Sequence, residues 1–329
     1  WIVTVAQHGA GLPTAAIGWG TGATALALLT LVVAAMGWLA PALLRRPATG
    51  LACCLVMIGS ALVSPRDLGW PPGGWVLVAC DVGQGDALVV NTGPASAMVV
   101  DVGPDPLAVD RCLGRLGVER VPLLVLTHFH ADHISGFRAV LEGRRVDRIE
   151  VTTTLDPPDG VEGVLEAVSG ASPTPVFAQH GETRVIGDVT VQTLWPTRIT
   201  PSRGAGDGSS ANDASVVLLV ETAGLRLLLT GDVEPPSQGV LARDLPGLRV
   251  DVLKVPHHGS SHQDLPWLTS LEARLALVSV GEDNDYGHPS EEVLTTLTAA
   301  GVAVARTDLN GDLAVVVRGG EPHLVARGR

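Results

Sequence analysis

The stretch Val121-Pro122-Leu123-Leu124-Val125-Leu126-Thr127-His128-Phe129-His130-Ala131-Asp132-His133 decides how this chain is read. Its first half is a short apolar run, as a buried strand is. Its second half sets four metal-ligand candidates, His128, His130, Asp132 and His133, within six residues. Imidazoles two apart on an extended segment share a face, and a tight loop after the strand folds the later pair back, so the four can converge on a metal. Imidazole and carboxylate without cysteine favour zinc, manganese or iron over a structural zinc knot.

Working outward, other apolar runs also end in functional groups: WVLVACD (75–81), ALVVNT (87–92), AMVVDVG (97–103), VVLLVET (216–222), LRLLLTGD (225–232), VDVLKVPHH (250–258) and LALVSVG (275–281). Both faces of these runs are apolar, which predicts strands covered on both sides. Helices are expected at 134–142, closed by Gly143, and at 291–300, with Ser290 as N-cap and Gly301 beyond the end. Ala223-Gly224 predicts a hairpin. The polar segment 196–213 separates 73–195 from 214–329, so two βα halves are expected to meet face to face. Asp232, at one strand end, can bridge two cations, and His257 and His258, at another, offer at least one more imidazole.

Composition sets limits. With 46% hydrophobic and 17% charged residues among 329, disorder is excluded as the main state. A net charge of −12 and 3% aromatics do not describe a basic nucleic-acid binder with stacking aromatics. Residues 20–44 and 47–64 carry no charge and are long enough to be membrane spans, so 1–72 is expected to be a membrane segment and 73–329 a globular domain after a Pro/Gly-rich joint. That domain holds 19 basic and 33 acidic residues, a charge of −14. Arg45-Arg46 between the spans predicts a cytoplasmic loop, which puts the domain outside. A chain opening at Trp1 reads as the C-terminal piece of a longer polytopic protein of the cell membrane. Cys53, Cys54, Cys80 and Cys112 lack metal-type spacing and read as small buried hydrophobes, and His180, His262 and His323 as surface residues.

The motif HxHxDH resembles the metallo-β-lactamase fold at all four positions, and Asp232 resembles the later aspartate of that fold. Its final histidine matches better at His258 than at His257, and Asp101 resembles an early aspartate that orients the ligands. The loop Asp81-Val82-Gly83-Gln84-Gly85-Asp86-Ala87, the ending LKVPHHGS and the segment 284–290 are further similar to the C-terminal domain of ComEC-type DNA-internalisation competence proteins. The resemblance covers roughly 75–317. It implies an α/β (α+β) four-layer αββα sandwich after one or two transmembrane helices, and two divalent ions, zinc or manganese. It also implies DNA, single- or double-stranded, as substrate, with the membrane and competence receptor or translocation proteins as partners and no organic cofactor. One departure stands out: the fold's third histidine for the first metal is missing, and the region reads Ser210-Ala211-Asn212-Asp213-Ala214-Ser215.

The expected chemistry is metal-assisted hydrolysis of a DNA phosphodiester, with Asp132 orienting the attacking hydroxide and Asp232 bridging the ions. His288 or Lys254 would stabilise the leaving oxygen or the scissile phosphate. Asp81, Gln84 and Asp86 would line the entrance, with Gly83 and Gly85 allowing a tight turn, and Asn212 is one of two oxygen candidates near the missing histidine. Two alternatives keep parts of this reading: a hydrolase of small esters, lactones, thioesters, β-lactams or cyclic phosphodiesters, and a non-catalytic strand-binding module of a DNA channel.

Overall fold

The computed structural model describes residues 69–169, 173–197 and 208–328, with scattered positions between 30 and 55. The chain divides into two units, Trp1–Gly69 and Trp70–Arg329. In the first, the described positions, among them Thr30, Leu31, Trp38 and 47–52, are helical, and Leu31, Trp38, Leu51 and Leu55 are exposed. Among the described residues no helix is long and apolar enough to cross a membrane. Most of the two expected spans, with Arg45, Arg46, Cys53 and Cys54, lies outside the described residues.

The second unit is built on two sheets. The strands are β1 (Trp75–Ala79), β2 (Leu88–Gly93), β3 (Ser96–Val100), β4 (Arg120–Val121), β5 (Leu124–Leu126), β6 (Arg145–Val146), β7 (Ile149–Val151), β8 (Val176–Phe177), β9 (Thr183–Ile186) and β10 (Val189–Trp195). They continue with β11 (Val217–Thr222), β12 (Leu225–Leu229), β13 (Val252–Lys254), β14 (Leu275–Val278), β15 (Ala303–Arg306), β16 (Leu313–Arg318) and β17 (Glu321–Ala326). The first sheet runs β17-β16-β1-β2-β3-β5-β7-β8, with β4 and β6 at its side, and the second runs β15-β14-β13-β12-β11-β10-β9. The division is therefore not the simple one expected at the polar segment. The β9–β10 hairpin, from the first half of the chain, pairs antiparallel with β11, and β16–β17, from the second half, return to pair with β1.

Alternation along the strands explains the layers, because successive side chains point to opposite faces. Leu77, Leu88, Met98 and Val125 meet Leu218, Leu227, Val252 and Leu277 between the sheets. Val78, Val89, Val99, Leu124 and Leu126 face the other way, onto helices α1 (Pro106–Arg115), α2 (Ala131–Ile134), α3 (Phe137–Gly143) and α4 (Pro158–Ala167) through Val109, Leu113, Ile134, Phe137, Val140 and Val164. After the short α5 (Ser209–Asp213), Leu219, Leu228, Leu253 and Ala276 pack on α6 (Pro235–Asp244), α7 (Leu265–Ser270) and α8 (Glu291–Ala299) through Leu241, Leu268 and Leu297. Three separate cores thus lie in a helix–sheet–sheet–helix stack. Ala223 and Gly224, both at positive φ, close the β11–β12 hairpin as expected.

Two expectations are corrected. The helix read at 134–142 is broken into α2 and α3 at Ser135-Gly136, where a Cβ on Gly136 would lie 2.1 Å from the Val102 carbonyl oxygen, so the backbones touch. Cys80 and Cys112 are not free thiols but a disulfide with Cα atoms 6.0 Å apart. Their separation of 32 residues carries no pairing signal; the fold brings the end of β1 against α1.

Candidate metal centre

The cluster forms where strand ends of both sheets meet. β5 delivers Thr127 to His130, with α2 starting at once so that Asp132 and His133 turn back; Asp232 follows three residues after the end of β12; β13 leads into the turn Pro256–Gly259. In that turn His257, His258 and Gly259 all adopt left-handed φ, 47°, 53° and 79°. Non-glycine residues pay roughly 1–2 kcal/mol each for this conformation, and here it turns the His258 ring inward.

One donor atom each from Asp132, His133, Asp232 and His258 lies within 4.8 Å of the others. His133 Nε2 is 3.2 Å and His258 Nε2 3.3 Å from Asp232 Oδ2, and His258 Nε2 is 3.3 Å from Asp132 Oδ2. Beside them His128 Nε2 and His130 Nδ1 converge at 3.0 Å. His257 stays outside, with Nδ1 3.5 Å from Glu234.

The buried surroundings fix which nitrogen of each ring faces inward. His133 Nδ1 donates to Asp101 Oδ2 at 2.8 Å. Thr127 Oγ1 also donates to Asp101 Oδ2, at 2.7 Å, which leaves its lone pairs to accept from His128 Nδ1 at 3.1 Å. His258 Nδ1 donates to the Ser279 carbonyl at 2.9 Å. In all three rings Nε2 is the nitrogen left to face the cluster. Asp101, fully buried, is thus where the sequence places a ligand-orienting aspartate, and burial raises its carboxyl despite His133 beside it.

The electrostatics suit a cation. Burial disfavours charge, yet Asp232, with Asp132 and Asp101 for His133 and Asp86 for His258, holds both imidazoles well above their ordinary range. Against the same burial, His133 and His258 hold Asp132 low and Asp232 well below the usual carboxylate range. Burial and the neighbouring His133 push His128 well below its ordinary value, so it is neutral. Asp232 Oδ1 and Asn212 Oδ1 are buried with no hydrogen-bond partner. Carboxylates and imidazoles around orphaned oxygens fit a divalent ion such as zinc or manganese, which would displace the protons that His133 and His258 hold without it.

The centre opens into a cavity of about 590 Å³ lined by Gln84, His130, Asp132, Asn212, Asp232, His257, His258, Tyr286 and His288. Gln84 and Asn212 therefore reach this cavity. Asp86 and Lys254 do not: both are fully buried, joined Nζ to Oδ2 at 2.5 Å. Lys254 has no surface with which to touch a substrate, which corrects its expected place beside a scissile phosphate. Asp81 also lies off the cavity lining, its N–H donating to Asp312 Oδ1. His288 lines the mouth between Tyr286 and His257, its ring centroid 6.1 and 5.4 Å from theirs. Gly85, at φ 144°, lets its loop lie against the metal loop; a Cβ there would fall 2.0 Å from the Asp132 carbonyl oxygen.

Several supporting residues escape sequence reasoning. Glu234, buried, accepts from Asn212 Nδ2 at 2.9 Å, and Ser215 Oγ accepts from Asp232 N–H at 3.0 Å while lying 3.2 Å from His128 Nδ1. Glu234 had one available signal, its position two residues after the strand-end aspartate.

The metallo-beta-lactamase superfamily profile matches residues 80–280. ComE operon protein 3 of Bacillus subtilis (strain 168) is 31% identical over 198 residues, 60% of this chain and 25% of that protein. Competence protein ComA of Neisseria gonorrhoeae is 31% identical over 299 residues, 88% of this chain and 39% of that protein. The chain thus spans well under half the length of these relatives. Among solved structures, zinc-bound PqqB from Methylobacterium extorquens has a TM-score of 0.43 at 13% identity, over 70% of this chain and 98% of that one. With its cluster at the strand ends and a profile match across most of both sheets, the chain belongs to the metallo-beta-lactamase superfamily, as a domain of the kind carried by ComEC-type competence proteins.

Proposed function

We propose that the chain is a two-metal phosphodiesterase acting on DNA, held at a cell membrane with Trp70–Arg329 on the outer side. The observation that carries the reading is the gathering of Asp132, His133, Asp232 and His258, with His128 and His130 beside them, where His130, Asp132, Asp232 and His258 line one open cavity. Divalent ions there supply an acidified water and neutralise charge on phosphate oxygens. Asp132, which lines the cavity, holds and orients the attacking water. His288, held below its ordinary range by burial and by His257, is neutral and offers a ring N–H to a phosphate or leaving oxygen at the mouth. Tyr286, exposed beside it, gives a base a surface to stack on.

The competence relatives favour DNA over a small ester. The −14 charge of the globular part opposes broad capture of a polyanion, so on this reading the strand is delivered to the cavity by partner proteins of DNA uptake. The Cys80–Cys112 disulfide supports the outer side, because such bonds persist in oxidising compartments. The test is cleavage of single- and double-stranded DNA by residues 70–329, which contain all three cores, loaded with manganese or zinc and compared with Asp132→Ala. Metal-dependent cleavage lost in the variant is expected. Turnover of lactones or β-lactams without DNA cleavage would replace the substrate, and metal binding with no turnover of either would leave a non-catalytic module.

A further inference from the structure

The two donors His128 Nε2 and His130 Nδ1 need a third for a stable site, and the segment 210–215, where the fold's further histidine would stand, holds none. We propose that Asn212 Oδ1 is that third ligand and that Glu234 fixes its amide with the oxygen toward the ion. The inference rests on the two-metal reading above.

Asn212 is 5% exposed and lines the same cavity as His130. Its Nδ2 donates to Glu234 Oε1 at 2.9 Å, and a carboxylate that only accepts dictates which end of the amide turns toward it. The opposite end, Oδ1, is buried without a hydrogen-bond partner. A buried amide oxygen left bare is destabilising, which a cation would offset. The start of α5 lies against His130: Gly208, just before the helix, whose carbonyl accepts the Asn212 N–H at 3.1 Å, has its Cβ position 3.9 Å from His130 Nε2.

The neighbouring candidates are otherwise engaged. Asp213 turns its Oδ1 to the backbone N–H groups of Glu234 and Ser237, both at 3.3 Å, capping α6. Ser215 Oγ is occupied by Asp232 N–H and His128 Nδ1. An amide oxygen is a harder and weaker donor than imidazole, so the first site takes its ion after the second and tilts toward manganese over zinc.

The experiment is calorimetric titration of the purified metal-free chain with manganese and with zinc, together with metal content after dialysis, on wild type, Asn212→Ala, Asn212→His and Glu234→Ala. Wild type is expected to bind two ions in two steps. Asn212→Ala should weaken the second step by at least about tenfold and leave the first within a factor of about two. Asn212→His should keep both steps and turn the weaker one toward zinc, which guards against a mere folding defect. Glu234→Ala should weaken the same step. Two ions bound by wild type and by Asn212→Ala with equal affinities would overturn the assignment of Asn212 alone. A single ion bound by wild type would overturn the two-metal reading itself, and the inference with it.

Discussion

Replacing Lys254 by methionine removes the ammonium and leaves Asp86 as a fully buried carboxylate with its main partner gone. Burial alone would raise Asp86, but Lys254 first, then His258 and His133, bring it down to about 2. Because this folded value lies below the unfolded one, the pair contributes stability above pH 4 that is lost as pH falls toward 2. That shift corresponds to roughly 2 kcal/mol. Breaking a buried pair from one side costs about 3–5 kcal/mol, a large part of a total of about 5–15 kcal/mol. Urea unfolding followed by tryptophan fluorescence should therefore give a loss of about 3–5 kcal/mol for Lys254→Met. The double variant Lys254→Met/Asp86→Leu should lose less than the two single variants together, since an apolar pair needs no compensation. Asp86 Oδ1 also lies 3.5 Å from His258 Nδ1, so Lys254→Met should weaken metal binding as well. Additive losses under about 1 kcal/mol each, or unchanged stability and metal affinity with lost turnover alone, would refute the reasoning and return Lys254 to the substrate.

Four further outcomes follow from the geometry. Metal uptake near neutral pH should release protons, because His133 and His258 are held well above their ordinary range while His128 is already neutral; affinity should rise about tenfold per pH unit for each proton displaced, checked by calorimetry in buffers of different ionisation enthalpy. Without metal the same two histidines stabilise the fold below pH 6.5, and that contribution is lost as pH rises through their folded values, as thermal unfolding of the metal-free protein will register. Asp101→Ala should lower metal affinity about 10–100-fold, since one carboxylate orients both His128 and His133. Reducing Cys80–Cys112, whose partners are 32 residues apart, should cost about 3–4 kcal/mol, read as a fall in unfolding temperature in dithiothreitol that the Cys80→Ser/Cys112→Ser variant does not show.

The parts of the site written in consecutive residues were legible. His128 to His133 follow one strand, and Asp232 and His258 stand a few residues past two others, so continuous apolar runs and the groups after them pointed to these positions, with the resemblance preferring His258 to His257. What escaped depends on contacts distant in sequence. Lys254 sits on a central strand and reads as a cation for the substrate until Asp86, 168 positions away, is seen against it. Cys80 and Cys112 have no spacing signature, and the exchange of β9–β10 and β16–β17 between sheets is decided by which edges are free to pair. The break at Gly136 is likewise tertiary, forced by the Val102 backbone rather than by helix propensity.

The most direct measurement is anomalous X-ray scattering at the manganese and zinc edges from crystals of the metal-loaded protein. Two peaks are predicted, one among Asp132, His133 and His258, the other at His128 and His130, with Asp232 between them. Absence of any peak in the cavity, or a metal held elsewhere by other residues, would contradict a hydrolytic centre at these strand ends.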